Sequence, residues 1–303
     1  MKLPVKQLLL ALGVAATAYA LVLLLSGDMA PGHVLLRLAS PTGLLAVALC
    51  LLNYLLRGLR WRLWMAHYQR PMGVLTGLRI YLAGYTFTPT PGNIGEAARG
   101  LLLARQPLGA AQSLAIFGAE RVADLVCLLL LTLPALWWLA LQAAPASWLA
   151  PLAVATGLVA LLVLAFLRKY GAALLARFSW LQQAGECLTR QPLTWLGMTL
   201  PAWFAQGLAL WLICREYGLD LDPLLASGFY ALAMVGGALS MLPAGLGGTE
   251  ALLTGLLLAH GSTLATAVGI TVLARLLTLW LAVAIGALAL LYSAAIPKDI
   301  SFR

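Results

Sequence analysis

The sequence predicts an all-α integral membrane protein: about six transmembrane helices plus two re-entrant helical hairpins, arranged as inverted-topology repeats. Three observations predict it. The 303 residues are 62% hydrophobic and 10% charged, whereas soluble domains are about a quarter charged. Several uncharged runs approach the roughly 20 apolar residues that cross a bilayer. One motif occurs twice, as Pro89-Thr90-Pro91-Gly92-Asn93-Ile94-Gly95-Glu96-Ala97 and as Pro243-Ala244-Gly245-Leu246-Gly247-Gly248-Thr249-Glu250-Ala251. An offset of 154 residues superimposes Pro89 on Pro243, Glu96 on Glu250 and Arg121 on Arg275. Paired interruptions of apolar segments in the two halves of a membrane protein point to a transport site.

Residues 8–25 follow Lys2 and Lys6, carry no charge and precede no small-residue cleavage site. They read as a retained signal-anchor helix. Residues 38–56 form the second span, between Arg37 and Arg57. Residues 109–141 form the third and carry Glu120, Arg121 and Asp124. Residues 148–167 are the fourth, 193–214 the fifth, and 263–292, with Arg275, the sixth. Residues 74–103 and 223–259 are apolar but broken near the middle by Pro91, Gly92 and Gly95, and by Pro243, Gly245 and Gly247. Pro removes a backbone donor and Gly loosens a helix. Irregular backbone at membrane depth persists only when buried in protein or lining a wet cavity. Both regions therefore read as re-entrant hairpins. Residues 170–191 are mixed polar and apolar, and read either as an interfacial amphipathic helix or as a plain cytoplasmic loop.

The chain divides accordingly: anchor helix and short external loop 1–43, first repeat 44–147, linker helix and interfacial segment 148–192, second repeat 193–292, and tail 293–303. Six crossings place both termini in the cytoplasm. Lys2, Lys6, Arg57, Arg60, Arg62, Arg70, Arg105, Arg168, Lys169, Arg177, Arg190, Lys298 and Arg303 then lie inside, and only Arg37 and Arg215 outside. The positive-inside rule favours that arrangement. It also opens the first hairpin inward and the second outward.

Glu96 and Glu250 each follow a Gly-rich break and so stand at the start of a half-helix. An acid there complements the helix dipole. Near the midplane an unpaired charge costs about 2.5 kcal/mol or more, so a pair of such glutamates also suggests proton-titrating groups or partners for buried arginines. Arg121 and Arg275 lie near the centre of their helices. Glu120 and Asp124 are local partners for Arg121. Thr278 stands where Asp124 has its counterpart, which leaves Glu250 as the natural partner of Arg275. Either each arginine locks a hairpin to its helix, or the arginines bind an anion, since the guanidinium fork suits phosphate and half-helix N-termini add donors. Arg57, Arg60, Trp61 and Trp64 share one helical face. They read as an interfacial anchor or as a gate that collects headgroups.

No catalytic constellation is present: no HExxH, no Walker lysine, no Ser/His/Asp set. Cys50, Cys127, Cys187 and Cys214 show no metal or redox spacing and read as packing residues. No metal and no cofactor is expected. The formal charge of +9 suggests contact with anionic headgroups and not with nucleic acid, for which no motif exists.

Arg57-x-x-Arg60-Trp61, Gly84-Tyr85, Pro91-Gly92-x-x-Gly95-Glu96-x-x-Arg99, Glu120-Arg121-x-x-Asp124, Pro243-x-Gly245-x-Gly247-x-x-Glu250 and Arg275 together resemble the flippase-like transmembrane family that includes the membrane half of lysylphosphatidylglycerol synthase/flippase proteins. The likeness runs over residues 44–292. It implies a polytopic lipid translocator of the bacterial cytoplasmic (inner) membrane, acting on an anionic phospholipid or a polyprenyl-phosphate-linked lipid. It implies headgroup binding at Arg121, Arg275, Arg99, Glu96, Glu250, Asp124 and Glu120. The family often carries a basic residue where this chain has Asn93, which implies a different headgroup preference. Lysine transfer onto lipid is not expected, because no soluble aminoacyl-transfer domain is recognised. The alternative is a membrane enzyme, or its accessory subunit, acting on polyprenyl-phosphate glycolipids. The expected partners are membrane lipids; the oligomeric state is open, with a dimer among the options.

Overall fold

The computed structural model describes residues 37–102, 108–142, 178–240 and 242–295, and among these there is helix and no strand. The first described helix, α1 (Pro41–His67), starts on a built cap: the Ser40 hydroxyl accepts from the Gly43 amide, with Pro41 in the first turn. The short α2 (Val74–Ala83) runs into a 3-10 turn at Gly84–Phe87 and then a second 3-10 stretch, Pro91–Leu102. α3 (Ala110–Gln142) is followed, in the next described segment, by α4 (Ser179–Arg190) and α5 (Pro192–Glu216). α6 (Pro223–Leu239) is capped by Asp222, whose carboxylate accepts from the Leu224 and Leu225 amides. A 3-10 turn at Pro243–Gly245 separates α6 from α7 (Gly248–Ala259). α8 (Leu264–Arg275) passes through one π turn, Leu276–Trp280, into α9 (Leu281–Ala295).

Among the described residues, four helices are long and apolar enough to cross a membrane: Pro41–His67, Ala110–Gln142, Pro192–Glu216 and Leu264–Ser293. Trp137, Leu193, Leu288 and Leu291 keep most of their surface exposed, as side chains facing acyl chains do. The expected spans at 8–25 and 148–167 lie outside the described residues. The second expected span, 38–56, is too short. Its helix continues to His67 because Arg57 and Arg60, taken as its end, are paired inside the protein.

The offset of 154 residues that aligns the two motifs also aligns the elements. It carries α1 onto α5, α2 onto α6, the first break onto the second, and α3 onto α8–α9. The packing is reciprocal. α1 packs on α5, its own counterpart; α3 packs on α6 while α9 packs on α2; and the two breaks touch. Contacts that swap in this way are those of a two-fold relation. α1 and α5 run antiparallel: Ser40 bonds Glu216 (2.8 Å) near one end, and Asn53 bonds the Ala202 carbonyl (2.8 Å) further along. Small residues permit the two crossed contacts. A Cβ on Gly228 would lie 2.7 Å from the Ala135 nitrogen, and one on Gly286 would lie 2.7 Å from the Thr86 nitrogen.

α4 falls within the expected segment 170–191 and is helical from Ser179 to Arg190. It buries Ala184 and Cys187 against the ends of α1 and α3, with the Trp64 indole donating to the Cys187 carbonyl at 3.1 Å. All four cysteines are free and buried, and burial pushes the Cys187 thiol above its ordinary value. Because buried, protonated thiols react slowly, a water-soluble maleimide should label the folded protein to less than about a tenth of the denatured level. Rapid labelling in the folded state would contradict this packing.

Candidate functional site

Each break is a backbone reversal in the left-handed region. In the first, Gly92 and Asn93 take φ of 61° and 56°; in the second, Ala244, Gly245 and Gly247 take 54°, 66° and 84°. Asn tolerates this region. Ala244 does so at a cost of about 1–2 kcal/mol, and its carbonyl is held by the Arg275 guanidinium, Nη2 donating at 2.9 Å. The half-helices differ. After the second break α7 is a true α-helix, and Glu250 sits at its third position, where Oε2 accepts from the Gly247 amide (2.7 Å). Gly247 has no side chain to reciprocate, so only half of a capping box exists. After the first break the chain stays 3-10 through Leu102, so Glu96 does not begin an α-helix.

Arg275 finds Glu250, the partner left to it by elimination: Nε donates to Oε1 at 2.7 Å. One guanidinium thus ties α8 to the α7 terminus and to the strained Ala244 turn. The first half is far richer. Asp124 receives Arg57 (2.7 Å), Arg60 (2.7 Å) and the Trp203 indole (3.2 Å), with Arg121 at 3.1 Å. Glu96 accepts from Thr88 and Arg99, both at 2.8 Å, with Arg121 at 3.6 Å. Arg99 reaches Glu120 as well, at 3.1 Å. These seven charges form one network in which only Arg121 keeps an appreciable share of its side chain exposed, 30%.

Two expectations need correction. Glu120 makes no direct ion pair with Arg121; it turns to Arg99 and, at 3.8 Å, to Arg60, because helix neighbours point to different faces. Arg57, Arg60 and Trp61 are not at a membrane surface. They are 6%, 0% and 2% exposed, and Arg57 lies about 15 Å before the helix end at ~1.5 Å per residue. Asp124 draws the two arginines into the interior, and Trp61 packs against Tyr81.

Between the halves lies a cavity of about 90 Å³. Three guanidiniums line it, Arg57, Arg121 and Arg275, together with Glu96 and one residue from each break, Asn93 and Ala244. Arg99, Asp124 and Glu250 do not line it but hold the Glu96, Arg57, Arg121 and Arg275 side chains that do, and Glu120 stands one step further out, paired to Arg99. The wall also includes Tyr85, named in the sequence only as part of the Gly84-Tyr85 motif, and Tyr54, Gln206 and Tyr230, which sequence reasoning missed. The Tyr54 hydroxyl lies 3.0 and 3.2 Å from the Leu277 and Thr278 carbonyls of the π turn, a helix irregularity frequent at functional sites. Tyr230 donates to Gln206 at 2.8 Å. A signal for this existed: Asn53 shifted by 154 falls one residue from Gln206, so both apolar spans carry an amide at matching depth. Among the described residues no His, Cys, Asp and Glu group is arranged to hold a metal ion.

Removing Asp124 leaves three arginines short of a partner. Asp124→Ala should lower stability by about 3–5 kcal/mol, read as denaturant or thermal unfolding in detergent. Glu186→Ala, whose side chain is 58% exposed, should cost less than about 1 kcal/mol. Equal stabilities for the two variants would contradict the network.

Comparison with curated protein sequences and with solved structures returns no match. The family model described as the lysylphosphatidylglycerol synthase TM region matches residues 8–286 and so covers the first repeat, all but the last six residues of the second, and every charged residue of the cleft. The chain is a multi-pass membrane protein and belongs to the lysylphosphatidylglycerol synthase TM family.

Proposed function

We propose that this protein is a lipid flippase, which moves a lipid with an anionic headgroup between leaflets and changes no covalent bond. The observation that carries the reading is the cleft at the meeting point of the two breaks, lined by Arg57, Arg121 and Arg275. Charges this deep in a membrane protein mark substrate pathways more often than they add stability. A headgroup would enter the cleft while its acyl or prenyl chains remain among the exposed apolar side chains of the outer helix faces.

The two breaks are read as re-entrant hairpins of opposite orientation, one opening to each side. The antiparallel α1–α5 pair and the reciprocal packing support this reading. Rocking one repeat against the other then exposes the cleft to each leaflet in turn. Arg275 is placed to respond, since it joins the second break to α8. Glu96, buried on the cleft wall, and Glu250 are the groups through which protons would couple to the cycle. The proposed setting is the bacterial cytoplasmic membrane, with both termini inside.

Purified protein in liposomes containing tail-labelled anionic phospholipid should accelerate leaflet exchange over empty liposomes. Arg275→Gln should retain a monodisperse elution profile and lose at least about tenfold of that rate, equivalent to about 1.4 kcal/mol of barrier. Exchange at the protein-free rate across several headgroups contradicts the proposal. A covalently altered lipid recovered from the vesicles would assign the protein to lipid-linked chemistry instead.

A further inference from the structure

Two cavities meet at Glu96. It stands on the wall of the cleft, and it also lines a second space of about 10 Å³ together with Arg99, Ser113 and Glu120. No other residue is shared between the two. A space of ~10–15 Å³ holds one water when two to four polar groups meet it, and these four side chains supply them. Glu96 and Glu120 are both buried and share a guanidinium: Arg99 donates to Glu96 at 2.8 Å and to Glu120 at 3.1 Å. A buried carboxyl thus stands between the cleft and a small polar space that a second buried carboxyl also lines.

The second repeat has no equivalent. The offset of 154 residues carries Arg99, Ser113 and Glu120 onto Leu253, Ala267 and Ala274, three buried apolar residues. Glu250, the counterpart of Glu96, lines neither cavity and is held by Arg275 and the Gly247 amide. Locking a break to its helix therefore takes one acid and one arginine. Arg99, Ser113 and Glu120 go beyond that task.

We infer that Glu96 carries protons between the two spaces, so that one proton moves together with one anionic headgroup. The inference rests on the flippase reading and narrows the coupling named there. Glu96 is the carrier, Glu120 and the small cavity are its proton path, and Glu250 lies outside it. With no headgroup in the cleft, ionised Glu96 is a counter-charge for Arg99 at 2.8 Å and Arg121 at 3.6 Å. When Glu96 takes a proton from water in the open cleft, an O–H bond forms and an anionic headgroup becomes the counter-charge instead. That exchange is strong because the interior screens weakly. After the repeats rock, the proton passes from the Glu96 oxygen to water in the small cavity and on to Glu120, which releases it to bulk water. Glu96 is again an anion and repels the headgroup out of the cleft. One proton enters, one leaves, and no other bond changes. Charged and titratable groups face Glu96 from several elements: Arg99 on its own stretch, Arg121 and behind it Asp124 on α3, Arg57 on α1, Tyr85 in the 3-10 turn and Arg275 on α8. Around Glu120 stand Arg99, Arg60 of α1 at 3.8 Å and Tyr81 of α2.

The test uses proteoliposomes with trace tail-labelled phosphatidylglycerol as the anionic probe, a gradient of one pH unit across the membrane, and a potassium ionophore to hold the voltage at zero. Coupling one proton to one monoanion draws the label toward the leaflet on the alkaline side, whichever way the protein inserts. The ceiling is about tenfold per pH unit, and the unaltered protein should reach at least about threefold. Glu96→Gln and Glu120→Gln should abolish the shift. Ser113→Val fills the small cavity without removing a charge and should abolish it too, whereas Ser113→Ala leaves room for water and should keep it. A shift that survives both Glu120→Gln and Ser113→Val overturns the path. Because carboxyl variants can fail to fold, a second arm needs only the unaltered protein. Phosphatidylglycerol loaded into the outer leaflet should acidify the lumen as it crosses, read by a sealed pH dye. Lipid exchange without acidification, an even distribution under the gradient, or accumulation on the acid side overturns proton coupling and leaves lipid transport standing. If no lipid is accelerated, both fall.

Discussion

A charge inside a membrane must be paired, and the structure is organised around that constraint. Among the described residues, nine ionisable groups meet at the centre of a chain of which only 10% is charged. Asp124 is their hub, taking two arginines at 2.7 Å and a tryptophan indole. Through it α1, α3 and α5 converge on a single carboxylate. Such networks add little net stability compared with an apolar core, because desolvation offsets the attraction. Their presence therefore argues for a task that hydrocarbon packing cannot perform, and the task proposed for this cleft is to receive a polar group.

The two halves share a frame but not a chemistry. Element follows element at a constant offset, and helix contacts swap reciprocally. The first half nevertheless carries seven network charges and the second only the Arg275–Glu250 pair. The backbone differs too: the second break resumes as an α-helix, whereas the first remains 3-10. A division of labour follows. The first half supplies a preset field in which only Arg121 keeps an appreciable share of its side chain exposed. The second is a lighter, strained element, in which a single guanidinium holds Ala244 in the left-handed region. In the proposed transport cycle, the half with fewer bonds to break is the half suited to move.

Much of this was legible in the sequence because repetition and hydropathy are local signals. The 154-residue offset located the breaks, and elimination located the Glu250 partner of Arg275. The ends of three spans fell within two or three residues of the observed helices. The end of α1 was missed by eleven residues because an arginine was taken to mark the membrane surface. That inference holds only where no acid waits inside, and Asp124, 67 residues away from Arg57, was waiting. The partner of Glu120 was missed for a related reason, since adjacency in sequence says little about direction on a helix. Tyr54, Gln206 and Tyr230 are hard to find because single uncharged polar residues look unremarkable within apolar runs; only Gln206, at the depth of Asn53 in the other repeat, carries a signal.

The central claim is a wet, cationic cleft between the halves, and its field can be read with charged thiol reagents. The four native cysteines are buried, so one cysteine introduced as Asn93→Cys on the cleft wall reports alone. A negatively charged methanethiosulfonate should modify it at least about tenfold faster than a positively charged one of similar size, with the difference shrinking in Arg121→Gln. Equal rates, faster reaction of the cation, or no reaction with either reagent would contradict the account.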